Sequence, residues 1–151
     1  MTNKQYESKR WLNRMYGVAN HIESLKRKQE EVLSSLSGIG KYEESISGSD
    51  SNPTESKFLK YSEISAEIEK QLHRLHMEDL RTLEVIEHLD NEEQKAILID
   101  RYLNRLPWNL IISSHNYAER QVYRYHDEAL EKIWLYIPKD EVMELLRGEK
   151  E

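Results

Sequence analysis

Apolar residues recur along the first part of the chain at alternating steps of four and three: Trp11, Met15, Val18, Ile22, Leu25, Gln29, Val32 and Leu36, with only Gln29 polar. Sustained over more than three heptads, that spacing predicts a long helix with a coiled-coil seam, from about residue 4 to 36. Gly17 weakens it by roughly 1 kcal/mol relative to alanine without ending it. A second long helix is predicted over residues 56–88, with Tyr61, Ile64, Ile68, Leu72 and Leu75 on one face. Its phase slips near His76–Asp79 and resumes at Leu80, Leu83 and Ile86, a shift that changes supercoiling rather than breaking a helix. Between the two, residues 37–55 hold three of the five glycines and Pro53, show no persistent period, and read as a flexible connector. Two helices of about 33 residues would each run ~50 Å. Equal lengths and one long connector favour an antiparallel hairpin, the alternative being pairing between chains.

After Leu89 the pattern shortens. Asp90 or Asn91 can cap a helix whose first turn carries Glu92 and Glu93, where the helix dipole favours them. Ala96, Ile97, Ile99, Tyr102 and Leu103 supply its inward side chains. Pro107 suits the start of the next, short helix, because its missing N–H costs nothing there. A turn follows at Ser113-Ser114-His115-Asn116, with Asn116 tolerating positive φ. The last main helix buries Val122, Tyr125 or His126, Ala129, Ile133 and Ile137, and Pro138 stops it. Residues 139–151 add a short helix through Val142, Leu145 and Leu146, or fray. The expected fold is therefore all-α: a helical hairpin over 4–88, then a small helical domain over 90–151.

Composition narrows the function classes. Among 151 residues there is no cysteine, which removes a disulfide framework, a thiolate nucleophile and a Cys-ligated zinc. No apolar run approaches the ~18 residues that span a bilayer, so no membrane partner is expected. The polar start Met1-Thr2-Asn3-Lys4 is unlike a signal peptide. The net charge of -6 argues against nonspecific nucleic-acid binding, which needs a broadly basic surface. Residues 1–36 carry seven Lys/Arg against four Glu, whereas 106–151 carry six basic against nine acidic residues. Any DNA contact by the tail must therefore use a local patch on an acidic body.

That patch has a candidate. Two helices joined by a turn of about four residues, the second opening with arginines and an amide, is the arrangement by which a helix-turn-helix enters a major groove. Arg120, Gln121, Tyr123 and Arg124 are the candidate base and phosphate contacts, since Arg and Gln can bond guanine or adenine edges bidentately. Glu119, Tyr117 and Asn116 lie beside them at the turn. Arg105, with Arg101 and Asn109, is a candidate for backbone phosphate. The competing reading is an ordinary solvated face, with Glu119, Asp127 and Glu128 neutralising the arginines. His73 and His76, one turn after Glu69, have metal-compatible spacing but no further ligand pair, so no metal is expected. His126 is expected as a neutral, hydrogen-bonded core histidine. There is no Gly-rich phosphate loop and no nucleophile–base motif, so neither an enzyme nor a cofactor is expected.

The same residues carry a resemblance. Arg101-Tyr102-Leu103, Trp108, Ile111, Tyr117, Glu119-Arg120, Val122, Arg124, His126, Ala129-Leu130 and Lys132-Ile133 follow the tail pattern of ArpU- and RinA-like late-transcription regulators. These are small phage proteins whose tail is similar to the promoter-reading helix-turn-helix of sigma factor region four. The opening Lys9-Arg10-Trp11-Leu12-Asn13-Arg14 before a long heptad helix is also similar to them. The chain departs from the pattern at Leu110 and Ile112, at Asn116 in place of the turn glycine, and at Ala118 in place of a capping serine. The last change costs about 1 kcal/mol. The resemblance implies a phage-encoded, sequence-specific regulator acting on double-stranded DNA in the bacterial cytoplasm. Its role would be activation of late genes, with homo-oligomerisation through the hairpin and contact with host RNA polymerase. The alternatives are an interaction module that acts on polymerase or a regulator without touching DNA, and a DNA-packaging factor of small-terminase type. The latter usually places its DNA-binding domain first, the reverse of the order here.

Overall fold

A computed structural model of the protein describes residues 1–39 and 53–149, and over these it is all-helical. The helices are α1 (Asn3–Leu12), α2 (Tyr16–Ile39), α3 (Pro53–Ile86), α4 (Glu92–Leu98), α5 (Trp108–Ser114), α6 (Glu119–Ile133) and α7 (Lys139–Glu149). A π-helical turn, Ile99–Leu103, prolongs α4, and a 3₁₀ turn, Trp134–Tyr136, prolongs α6. Of the connector expected over 37–55, the first residues end α2 and the last ones open α3; residues 40–52 lie outside the described residues.

The expected first helix is broken. Its N-terminal part, α1, is closed by a capping box in which Thr2 Oγ1 accepts from Gln5 N–H and the Gln5 side chain accepts from Thr2 N–H. After Leu12 the chain turns through Asn13–Met15, with Arg14 N–H donating to Trp11 O and Tyr16 N–H to Asn13 O. Arg14 fixes the break. Its guanidinium lies 3.7 Å from the Trp11 ring centroid, donates to Trp11 O and pairs with Glu78 at 3.0 Å. Burial alone would raise the Glu78 carboxyl, but hydrogen bonds and charge from Arg14 and Arg81 outweigh it and hold the group below its usual range. Gly17, by contrast, sits inside α2 as expected.

The chain divides into two compact units, Met1–Tyr16 with Met77–Glu151, and Gly17–His76. This division differs from the expected 4–88 and 90–151, because α1 and the end of α3 join the C-terminal helices. The reason is packing: Trp11, Leu12, Val85, Ile86 and Leu89 share one buried cluster with Leu98, Tyr102, Ala129, Leu130, Ile133, Ile137 and Val142. Ser8, fully buried on α1, donates to Leu130 O of α6 at 2.8 Å.

Within Gly17–His76, Gln29 Nε2 donates to Ser65 Oγ at 2.9 Å and Lys57 Nζ to Ser35 Oγ at 2.6 Å. Partner numbers fall on α3 as they rise on α2, so the two helices run antiparallel. The expected seam is the inward stripe: Ile22, Ile64, Ile68 and Leu75 are buried, and Val18, Leu25, Gln29, Val32, Leu36, Tyr61 and Leu72 partly so. The expected resumption of phase holds at Ile86, fully buried, and in part at Leu83, but fails at Leu80, which is 56% exposed; Thr82 and Val85 take the other buried positions. Thr82 is reconciled with burial by donating to Glu78 O.

Asn91 caps α4 by accepting from Gln94 N–H at 3.0 Å. Pro107 stands at the N-cap of α5 with extended ψ of 154°, one residue before its expected place inside the helix.

Candidate nucleic-acid interface

Three fully buried apolar side chains, Ile97 on α4, Ile111 on α5 and Val122 on α6, lock these helices together. Leu106, Trp108, Ile112 and Tyr125 pack around them. Ile112, one of the departures from the resembled pattern, is accommodated at the margin of this cluster rather than at its centre.

The turn between α5 and α6 has the expected four residues but lies two positions later, at 115–118, since Ser113 and Ser114 still belong to α5. Asn116 has φ of 57°, as its side chain permits. His115 holds the turn to the body, with Nε2 2.8 Å from Asp100 Oδ2 and Nδ1 3.8 Å from Glu93 Oε2. Ala118 is the N-cap of α6 and offers no side-chain acceptor. The N–H groups of Glu119 and Arg120 therefore take no side-chain cap, a setting that suits an anion, while Gln121 N–H donates to Ala118 O.

Val122, His126, Ala129, Leu130 and Ile133 form the buried face of α6. On the helical period the opposite face begins with Arg120, Tyr123 and Arg124. Arg120 and Arg124 are exposed, and Tyr123 is 37% exposed. Among the described residues Arg120 makes no ion pair or side-chain hydrogen bond. Arg124 makes one loose i,i+4 contact, 3.8 Å to Glu128, with both side chains largely in water; such a pair contributes little and yields readily to a stronger anion. Asn116, Tyr117 and Glu119 are exposed beside them, whereas Gln121 is half-buried on the flank.

Apart from Glu119 in its first turn, the acidic residues of α6 lie in later turns and are largely engaged. Glu128 accepts from Gln94 Nε2 at 3.1 Å, and Glu131 accepts from Thr2 Oγ1 at 2.6 Å. Asp127 faces His126 at 3.0 Å. Glu119 is thus the one α6 carboxylate in the same turns as Arg120 and Arg124.

Arg105 does not join this face. It adopts φ of 55°, donates to both carboxylate oxygens of Asp79 at 2.9 and 3.2 Å, and to Leu103 O at 2.8 Å. Its guanidinium is consumed within the protein, which removes it from the phosphate-contact set. Asp79 lies 26 positions away, with no local pattern to announce the pair. Arg101 is also drawn inward: it donates to Leu106 O and lies 4.8 Å from the Trp108 ring centroid. Asn109 is exposed.

Trp108 is the participant that sequence reasoning missed. Its ring meets Tyr123 at 5.0 Å and 57°, and His126 edge-on at 4.9 Å. His126 is the expected core histidine. Asp127 can only accept, so Nδ1 carries the proton and Nε2 accepts from Tyr102 Oη at 2.7 Å. Burial lowers the His126 pKa, and burial raises that of Tyr102, so both stay neutral. His73 and His76 are exposed, and no group of three or more potential metal ligands occurs among the described residues. No described helix is long and apolar enough to cross a membrane.

No family model matches the chain, and neither a curated protein nor a solved structure shows significant similarity to it.

Proposed function

We propose that the protein is a sequence-specific DNA-binding transcriptional regulator in which α5, the Asn116 turn and α6 form a helix-turn-helix. The observation that carries this reading is the exposed triplet Arg120, Tyr123 and Arg124 on the first turns of α6. Behind it, Ile111 and Val122 hold α5 and α6 in fixed relation. Two guanidinium groups one helical turn apart suit guanine edges or flanking phosphates, and the uncapped start of α6 suits a phosphate. Asn116, Tyr117 and Glu119 border the contact, and Gln121 reaches it from the side. The α2–α3 pair serves as a coiled-coil hairpin for self-association or for docking on host RNA polymerase, and doubling the contact set offsets the acidic body by effective concentration. A role in phage late-gene activation follows from the sequence resemblance alone.

Selection from a random-sequence duplex pool tests this. The 151-residue chain should enrich one motif, and Arg120→Ala/Arg124→Ala should enrich none while melting at the same temperature. An equal motif from the double variant would favour the interaction-module reading, in which partner proteins rather than DNA are bound.

A further inference from the structure

Tyr123 stands apart from its neighbours on α6, because it is an exposed aromatic ring that is already held in place. One side of it packs on Trp108 at 5.0 Å, and Trp108 is itself wedged between the Arg101 guanidinium and the His126 ring. These contacts come from the π turn, α5 and the middle of α6, so the platform is fixed from three sides. Tyr123 still presents over a third of its surface to solvent, between Arg120 one turn before and Arg124 next to it. An immobilised ring loses little rotamer freedom on binding, and its apolar edge gains most from an apolar feature opposite. A major groove offers one such feature of any size, the thymine 5-methyl group, set among polar donors and acceptors.

We propose that Tyr123, positioned by Trp108, reads a thymine methyl in the bound site, next to guanines or phosphates engaged by Arg120 and Arg124. This rests on the DNA-binding reading above and adds to it the base that the aromatic ring selects. Trp108 is then a positioning residue: it touches no base, and its removal frees the Tyr123 ring.

The probe is the duplex that wild-type protein enriches from the random pool, with each thymine replaced in turn by uracil, which deletes only the methyl. Wild-type affinity should fall about three- to tenfold at one or two positions. Tyr123→Phe keeps that discrimination, because the ring and not the hydroxyl makes the contact. Tyr123→Ala should bind the thymine and uracil duplexes alike while retaining its dependence on Arg120 and Arg124. Trp108→Leu should lose most of the discrimination, and Trp108→Phe should restore it in part, with thermal melting confirming that each variant is folded. Indifference of the wild type to every uracil, or undiminished discrimination in Tyr123→Ala, would overturn the proposal and leave the DNA-binding reading intact. Full discrimination in folded Trp108→Leu would overturn the positioning role. Failure to enrich any motif would remove the DNA-binding reading and the methyl contact with it.

Discussion

His126 shows how one residue ties stability to pH. In the unfolded chain it titrates near 6.5, and burial beside Tyr102 depresses that value in the fold. As pH falls, the unfolded state takes up the proton first. The stability contributed by the neutral imidazole is therefore complete above about pH 6.5 and declines below it toward the depressed folded value. Thermal melts should show wild-type protein losing stability as pH falls below about 6.5, and His126→Phe, though less stable throughout, losing less over the same range. Arg105 offers a second test at this scale. Its pair with Asp79 joins two largely buried side chains, so Asp79→Ala should cost about 1–3 kcal/mol in urea unfolding. Because Arg105 faces inward, Arg105→Ala should leave DNA affinity unchanged, and a marked loss in that variant would return Arg105 to the phosphate contacts.

At the scale of helices, the legible features were those written in local period and local chemistry. The inward stripes of α2 and α3, the Asn91 cap, the positive φ of Asn116 and the buried face of α6 each follow from residues within a turn or two of one another. The misread features depend on distant partners. The break after Leu12 is sealed by Glu78 meeting Arg14, and the burial of Thr82 in place of Leu80 follows from packing that no heptad count registers. Likewise, Trp108 could be noted as a helix-opening aromatic, but its contacts with Arg101, Tyr123 and His126 exist only once three elements converge. The start of α6 gives a prediction of its own. Ala118 supplies no cap, so Ala118→Ser should raise stability by about 0.5–1 kcal/mol, read as a higher urea midpoint.

For the whole molecule, charge sets the terms of any encounter with DNA. A net charge of -6 repels a duplex, and the exposed cations at the start of α6 must act locally against it. Affinity should therefore be modest and fall steeply with salt, and Arg120→Ala/Arg124→Ala should flatten the log–log salt slope by up to about two. On the proposed reading α6 delivers those two guanidinium groups into a major groove, where guanine N7 is the atom they cover. The direct measurement is methylation protection at guanine N7 on the enriched duplex. Wild-type protein should protect one or two guanines in each half-site, and the double arginine variant at matched occupancy should protect none. Full N7 reactivity under bound wild-type protein, or the same protection without both arginines, would contradict the account.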